Sequence, residues 1–90
     1  MKSINDWNLD DENEVNEFLD LFGTMKGRAL ANRLGAKGKG AAKNANNLSA
    51  YAWNKNAAMK LCRAGNIAEA CRYEMICDNI YKELPPEIKW

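Results

Sequence analysis

The run AAKNANNLSAYAWNKNAAMKLCRAGNIAEACRYEMICDNIYKEL, residues 41–84, decides the fold. It reads as two helices around one break. From Ala41 to about Ala64 the chain is alanine-rich, and between Leu48 and Cys62 it is apolar on more than one side (Ala50, Tyr51, Ala52, Trp53, Ala57, Met59, Leu61), the pattern of a central helix. Ala64-Gly65-Asn66 is a turn: Gly65 tolerates the left-handed conformation, and Asn66 with Glu69 three residues on has the form of a capping box. The second helix runs to Leu84, with Ile67, Ala70, Cys71, Ile76, Cys77, Ile80, Tyr81 and Leu84 expected inward, and Pro85-Pro86 stops it because proline has no backbone N–H to donate. Trp90 is expected to fold back. The segment is therefore predicted to be an antiparallel helical hairpin.

Upstream lies a breaker, Gly35-Ala-Lys-Gly-Lys-Gly40, whose three glycines in six residues make a continuous helix too costly in backbone entropy. Before it, a short helix is predicted over 24–34, capped by Thr24, with Met25, Ala29, Leu30 and Leu34 inward and Gly27 as its weak point. The first helix is predicted over 10–22. There Val15, Phe18, Leu19 and Phe22 form an i, i+3, i+4, i+7 stripe, Asp10, Asp11 and Glu12 suit the positive end of the dipole, and Gly23 ends it. The whole reads as one all-α domain, 1–90, a small bundle of three to four helices.

Composition narrows the function. With 47% hydrophobic and 28% charged residues the balance is globular. No apolar run approaches the roughly 20 residues needed to cross a bilayer, and the acidic N-terminus lacks the basic start of a secretory signal. A cytoplasmic location and no membrane partner are expected. Cys62, Cys71 and Cys77 are odd in number, lack CxxC spacing and sit in segments that read as helical, so reduced, buried thiols are the expectation. The chain has no histidine, which excludes Ser-His and Cys-His nucleophile pairs, His-containing zinc sites and imidazole acid–base chemistry. No catalytic residue, metal site or cofactor is expected.

The net charge of +1 hides three zones. Residues 1–20 carry one lysine against seven acids (Asp6, Asp10, Asp11, Glu12, Glu14, Glu17, Asp20), whereas residues 21–68 hold nine bases and no acid. Those bases are Lys26, Arg28, Arg33, Lys37, Lys39, Lys43, Lys55, Lys60 and Arg63. Such asymmetry suits an anionic partner, an internal pairing of the acidic segment with the basic one, or a head-to-tail union of copies. Lys26, Arg28, Arg33, Lys37, Lys39 and Lys43 are the candidate anion-binding or nucleic-acid-binding residues. The glycine-rich loop entering a helix is a second reason to look there for phosphate, although Gly40 is followed by Ala41-Ala42 and the P-loop pattern is absent. A solvated linker is the alternative. Tyr51, Trp53, Lys55 and Trp90 are the candidate partner-binding residues, with core packing as the competing reading for the two aromatics at helical spacing.

Three resemblances are carried by quoted residues. Ala52 to Pro85 resembles one tetratricopeptide-type helical hairpin at Trp53, Ala58, Leu61, Gly65, Ala70 and Cys77; it implies close helix packing at the two alanines, with Trp53 and Leu61 filling the gap. Such repeats work in arrays of about three, and this one occurs once. Leu30-Ala-Asn-Arg-Leu-Gly-Ala36 resembles the first half of a helix-turn-helix DNA reader at Ala31, Leu34 and Gly35, but Gly38 and Gly40 fall where the recognition helix should begin. The texture of Asn47–Lys55 with Gly65, Tyr73-Glu74, Ile76–Asp78, Ile80-Tyr81 and Leu84-Pro85 resembles small bacteriophage and mobile-element proteins. That resemblance implies an accessory protein of the bacterial cytoplasm that binds host or phage nucleic-acid machinery.

The leading expectation is therefore non-catalytic binding: an accessory or inhibitor of phage type docking on a host protein of nucleic-acid metabolism. The second is direct DNA or RNA binding by the basic segment, and the third a self-assembling structural homo-oligomer.

Overall fold

Four helices stand where hydrophobic periodicity and capping chemistry allow them. The computed structural model describes residues 2–90, and their order is α1 (Glu12–Phe22), α2 (Gly27–Arg33), α3 (Ala41–Arg63) and α4 (Ile67–Glu83), with 3-10 turns at Ile4–Asp6 and Pro86–Ile88. Asp11 caps α1, its carboxylate accepting from the Asn13 and Glu14 amides at 2.9 and 3.3 Å. Asn66 caps α4 by accepting from the Glu69 amide. Gly40 opens α3 and Gly65 lies in the α3–α4 turn, both with φ above +80°. The C-terminal pair is the expected antiparallel hairpin: Cys77 donates toward the Tyr51 carbonyl at 3.6 Å, and Lys55 meets Glu74 at 2.6 Å.

The central helix is α3, against which α1, α2 and α4 all pack. Its buried residues Ala45, Leu48, Tyr51, Ala52, Lys55 and Ala58 run along most of its length, and the alanines among them allow close approach. Leu30, Ala31 and Leu34 close α2 on it, and Val15, Phe18 and Phe22 close α1. The N-terminal segment completes this core: Trp7 and Leu9 are fully buried, and the Trp7 ring lies edge-on to Phe18 and Phe22 at 5.3 and 5.8 Å. The Ile4 amide donates to the Leu34 carbonyl. At the other terminus Ile88 is buried and Trp90 does fold back, its ring 4.8 Å from both Tyr51 and Tyr81.

The structure departs from several expectations and refines others. The short helix begins at Gly27, after Lys26, and not at Thr24; the chain is still turning out of α1 there, with the Met25 amide on the Phe22 carbonyl and no cap bond from Thr24. Gly23 does end α1, but in right-handed geometry, and its glycine identity answers a close approach: an added Cβ would stand 2.4 Å from the Leu19 carbonyl oxygen and 3.2 Å from the Trp53 indole. On α4, Ile67, Cys71 and Ile76 face solvent, because that helix packs substantially on α3 alone. Finally, the helix-turn-helix resemblance is not realised in space. The connection from Leu34 to Gly40 is long, and the helix after it is the buried central one. Of the tetratricopeptide-like positions, Ala58 and Ala70 are buried as expected, while Trp53 is 50% exposed and does not fill the interhelical gap.

Candidate functional site

The six cations of the predicted anion site gather on the α2–loop–α3 unit. Gly27 stands against Asn46 and the loop joins the opposite ends, so α2 and α3 run antiparallel. Lys26 precedes α2, Arg28 and Arg33 lie at its two ends, Lys37 and Lys39 project from the loop, and Lys43 sits in the first turn of α3. All six are exposed, and among the described residues none has an ion pair or a side-chain hydrogen bond. Among the described residues, two of the nine bases in residues 21–68 pair with acids: Lys55 with Asp10 and Glu74, and Arg63 with Glu12 at 2.8 Å.

The loop that carries the lysines owes its path to glycine. Gly35, Gly38 and Gly40 take φ of +76°, +93° and +85°, the left-handed region that costs any residue with a Cβ. Gly40 offers no side chain to cap α3, and the first turn of that helix holds no acid, so nothing negative within the helix offsets its positive end. A groove of about 410 Å³ opens here, lined by the polar Arg28, Asn32 and Lys37 and by small residues, among them Ala31, Ala36, Gly40 and Ala42. No carboxylate lines it. A second groove of about 430 Å³ on the other side of the loop takes Lys37 and Lys39 but also Glu87. Asn32 is the wall residue that sequence reading missed; it lies one turn from Arg28, a spacing that puts both on one helix face.

The predicted partner-binding set divides. Tyr51 is 3% exposed and Lys55 8%, so neither is an outward anchor, which corrects the expectation for both. They belong to an internal polar cluster built on Asp10. The Tyr51 hydroxyl donates to one Asp10 oxygen, the Trp90 indole N–H to the other at 2.8 Å, and the Lys55 ammonium stands 3.4 Å from the carboxylate. The Tyr81 hydroxyl donates to the Trp90 carbonyl at 2.5 Å. Trp90 is thus half-buried as a clasp. Only Trp53 is half exposed on a surface, its indole N–H donating to the Gly23 carbonyl at 3.2 Å.

The electrostatics of that cluster follow from its partners. Partial burial pushes the Asp10 carboxyl up, and the Tyr51 and Trp90 hydrogen bonds with the Lys55 ammonium outweigh it, so the net displacement is downward. Burial and the bond to Asp10 drive the Tyr51 phenol far upward. Burial lowers Lys55, and the hydrogen bond and charge of Glu74, aided by Asp10, reverse this to a net rise. Burial lifts the Cys77 thiol to about 11. None of the grooves described here touches these residues, so their arrangement is that of a structural tie.

In comparisons with known proteins, no family model, no curated protein and no solved structure matches this chain, and the functional reading rests on its own geometry. Among the described residues no helix is long and apolar enough to cross a membrane.

Proposed function

We propose that this chain is a non-catalytic binding protein whose cationic end, Lys26, Arg28, Arg33, Lys37, Lys39 and Lys43, takes a nucleic acid through its phosphates. One observation carries the reading: all six charges are exposed and have no ion-pair or side-chain hydrogen-bond partner among the described residues, in a molecule whose net charge is only +1. Unpaired like charges held together repel one another, and an arrangement of that kind is relieved by a polyanion that sheds its counterions on binding. The test is fluorescence anisotropy with a labelled mixed-sequence DNA at low salt. Reversing Arg28→Glu and Lys37→Glu together should weaken binding by at least about tenfold, since each charge-assisted contact contributes on the order of 1 kcal/mol or more. Trp53→Ala should leave it unchanged. Absence of binding by the unaltered protein, or equal binding by the double variant, rejects the proposal.

A second reading keeps the phage-type accessory role, docking on a host protein in the bacterial cytoplasm. It is favoured by Leu21, 52% exposed near the end of α1, and Trp53, bonded to that same end at Gly23, which together offer an apolar anchor on a surface. A complex with a defined host protein that survives nuclease and is lost in Trp53→Ala is the result this reading requires.

A further inference from the structure

We infer that the cationic end is fitted to the sugar-phosphate backbone of a duplex and is unsuited to the unstacked bases of a single strand; this rests on the nucleic-acid reading above. Single-strand binders combine a basic groove with aromatic platforms, each stacked base contributing about 1–3 kcal/mol. Here every aromatic of the chain is engaged elsewhere. Trp7, Phe18 and Phe22 form one edge-to-face cluster in the core, and Tyr51, Tyr81 and Trp90 form a second over Asp10. Trp53 is held against Gly23, and half-buried Tyr73 lines a groove on α4 with Glu69, Arg72 and Ile76. No aromatic lines either groove beside the loop.

What that end offers is charge and close approach. The carboxylate-free groove is lined by small residues, Gly38, Gly40, Ala41 and Ala42, together with Arg28, Asn32 and Lys37, so a backbone sugar and phosphate can approach the main chain there with few side chains to displace. Duplex DNA presents one charge per about 1.7 Å of axis, twice the density of one strand, which rewards a site that reads phosphate alone. Lys26 and Arg33 flank the seven-residue α2, about 10 Å apart along its axis, comparable with the roughly 12 Å width of a major groove edged by two phosphate rows.

The test compares one mixed sequence as a duplex and as its single strand, at matched ionic strength, by anisotropy and by intrinsic tryptophan fluorescence. The expected result is duplex binding tighter by about tenfold or more, little preference among unrelated duplexes, and tryptophan emission unaltered at saturation. Equal or tighter binding of the single strand, or strong quenching of tryptophan by it, overturns the duplex inference while leaving the cationic site standing. Binding of neither form overturns both.

Discussion

Asp10 is the residue on which distant parts of the chain meet. Its carboxylate joins Tyr51 on α3 to Trp90 near the C-terminus and stands beside Lys55, sequence separations of 41 and 80 residues for the two hydrogen bonds. Tyr51→Phe removes one of these bonds and leaves Asp10 able to rehydrate, so denaturant melts should show a loss of about 1 kcal/mol. The Lys55–Glu74 pair should respond asymmetrically. Glu74→Leu strands a largely buried ammonium with only Asp10 at 3.4 Å, whereas Lys55→Met leaves two carboxylates that reach water; the former is expected to cost about 1–2 kcal/mol and the latter less. Because the Asp10 pKa falls on folding, its contribution is present above the ordinary carboxyl value of 3.8 and is lost as pH drops through the lower folded value. Asp10→Asn should therefore flatten the acid limb of stability against pH. Thiol titration at neutral pH should count two fast thiols, Cys62 and Cys71, with Cys77 joining only on unfolding, since it is buried and its pKa is raised to about 11. Of this cluster the sequence showed the fold-back of Trp90 and core packing as one reading of Tyr51, but not the ties to Asp10. Lys55 sits in an acid-free run and looks solvated, and no periodicity links it to an aspartate 45 positions earlier.

At the scale of elements, the glycine loop and the ends of α3 and α4 were legible because their chemistry is local, whereas the start of α2 was not. Gly40 and the Asn66–Glu69 start fall where predicted. A Cβ at Gly40 meets open space, so Gly40→Ala should cost only the left-handed backbone penalty, about 1–2 kcal/mol in thermal or urea melts. Gly23→Ala should cost more although its φ is ordinary, because the added atom collides with the Leu19 carbonyl and the Trp53 ring. The face of α4 was misread for a reason of tertiary geometry. Periodicity marks a face as apolar and does not say whether another helix covers it, and here Met75, Ile67 and Ile76 lie beyond the reach of α1 and α2. The cationic set was legible as charge without acid, but the groove it borders was not, since that needs α2 and α3 to be placed antiparallel.

The whole molecule is a central α3 with three helices around it and both terminal segments drawn into its packing. The fold-back of Trp90 was legible, but the fully buried Trp7 and Leu9 were not, because they precede the first helical period and carry no pattern of their own. Trp7→Ala should cost about 3–5 kcal/mol, a large share of the roughly 5–15 kcal/mol typical of a domain, and urea unfolding should show a correspondingly lower midpoint. Charge is also arranged at this scale. Two bases of the middle stretch neutralise N-terminal acids and tie the fold, and the six around the loop remain free at one end. The most direct check on that division is the ionic-strength dependence of duplex binding. Six available cations, at about 0.9 per phosphate neutralised, predict a slope of log affinity against log salt of about −5 when all six engage. A slope near zero, or no measurable binding at low salt, would contradict it.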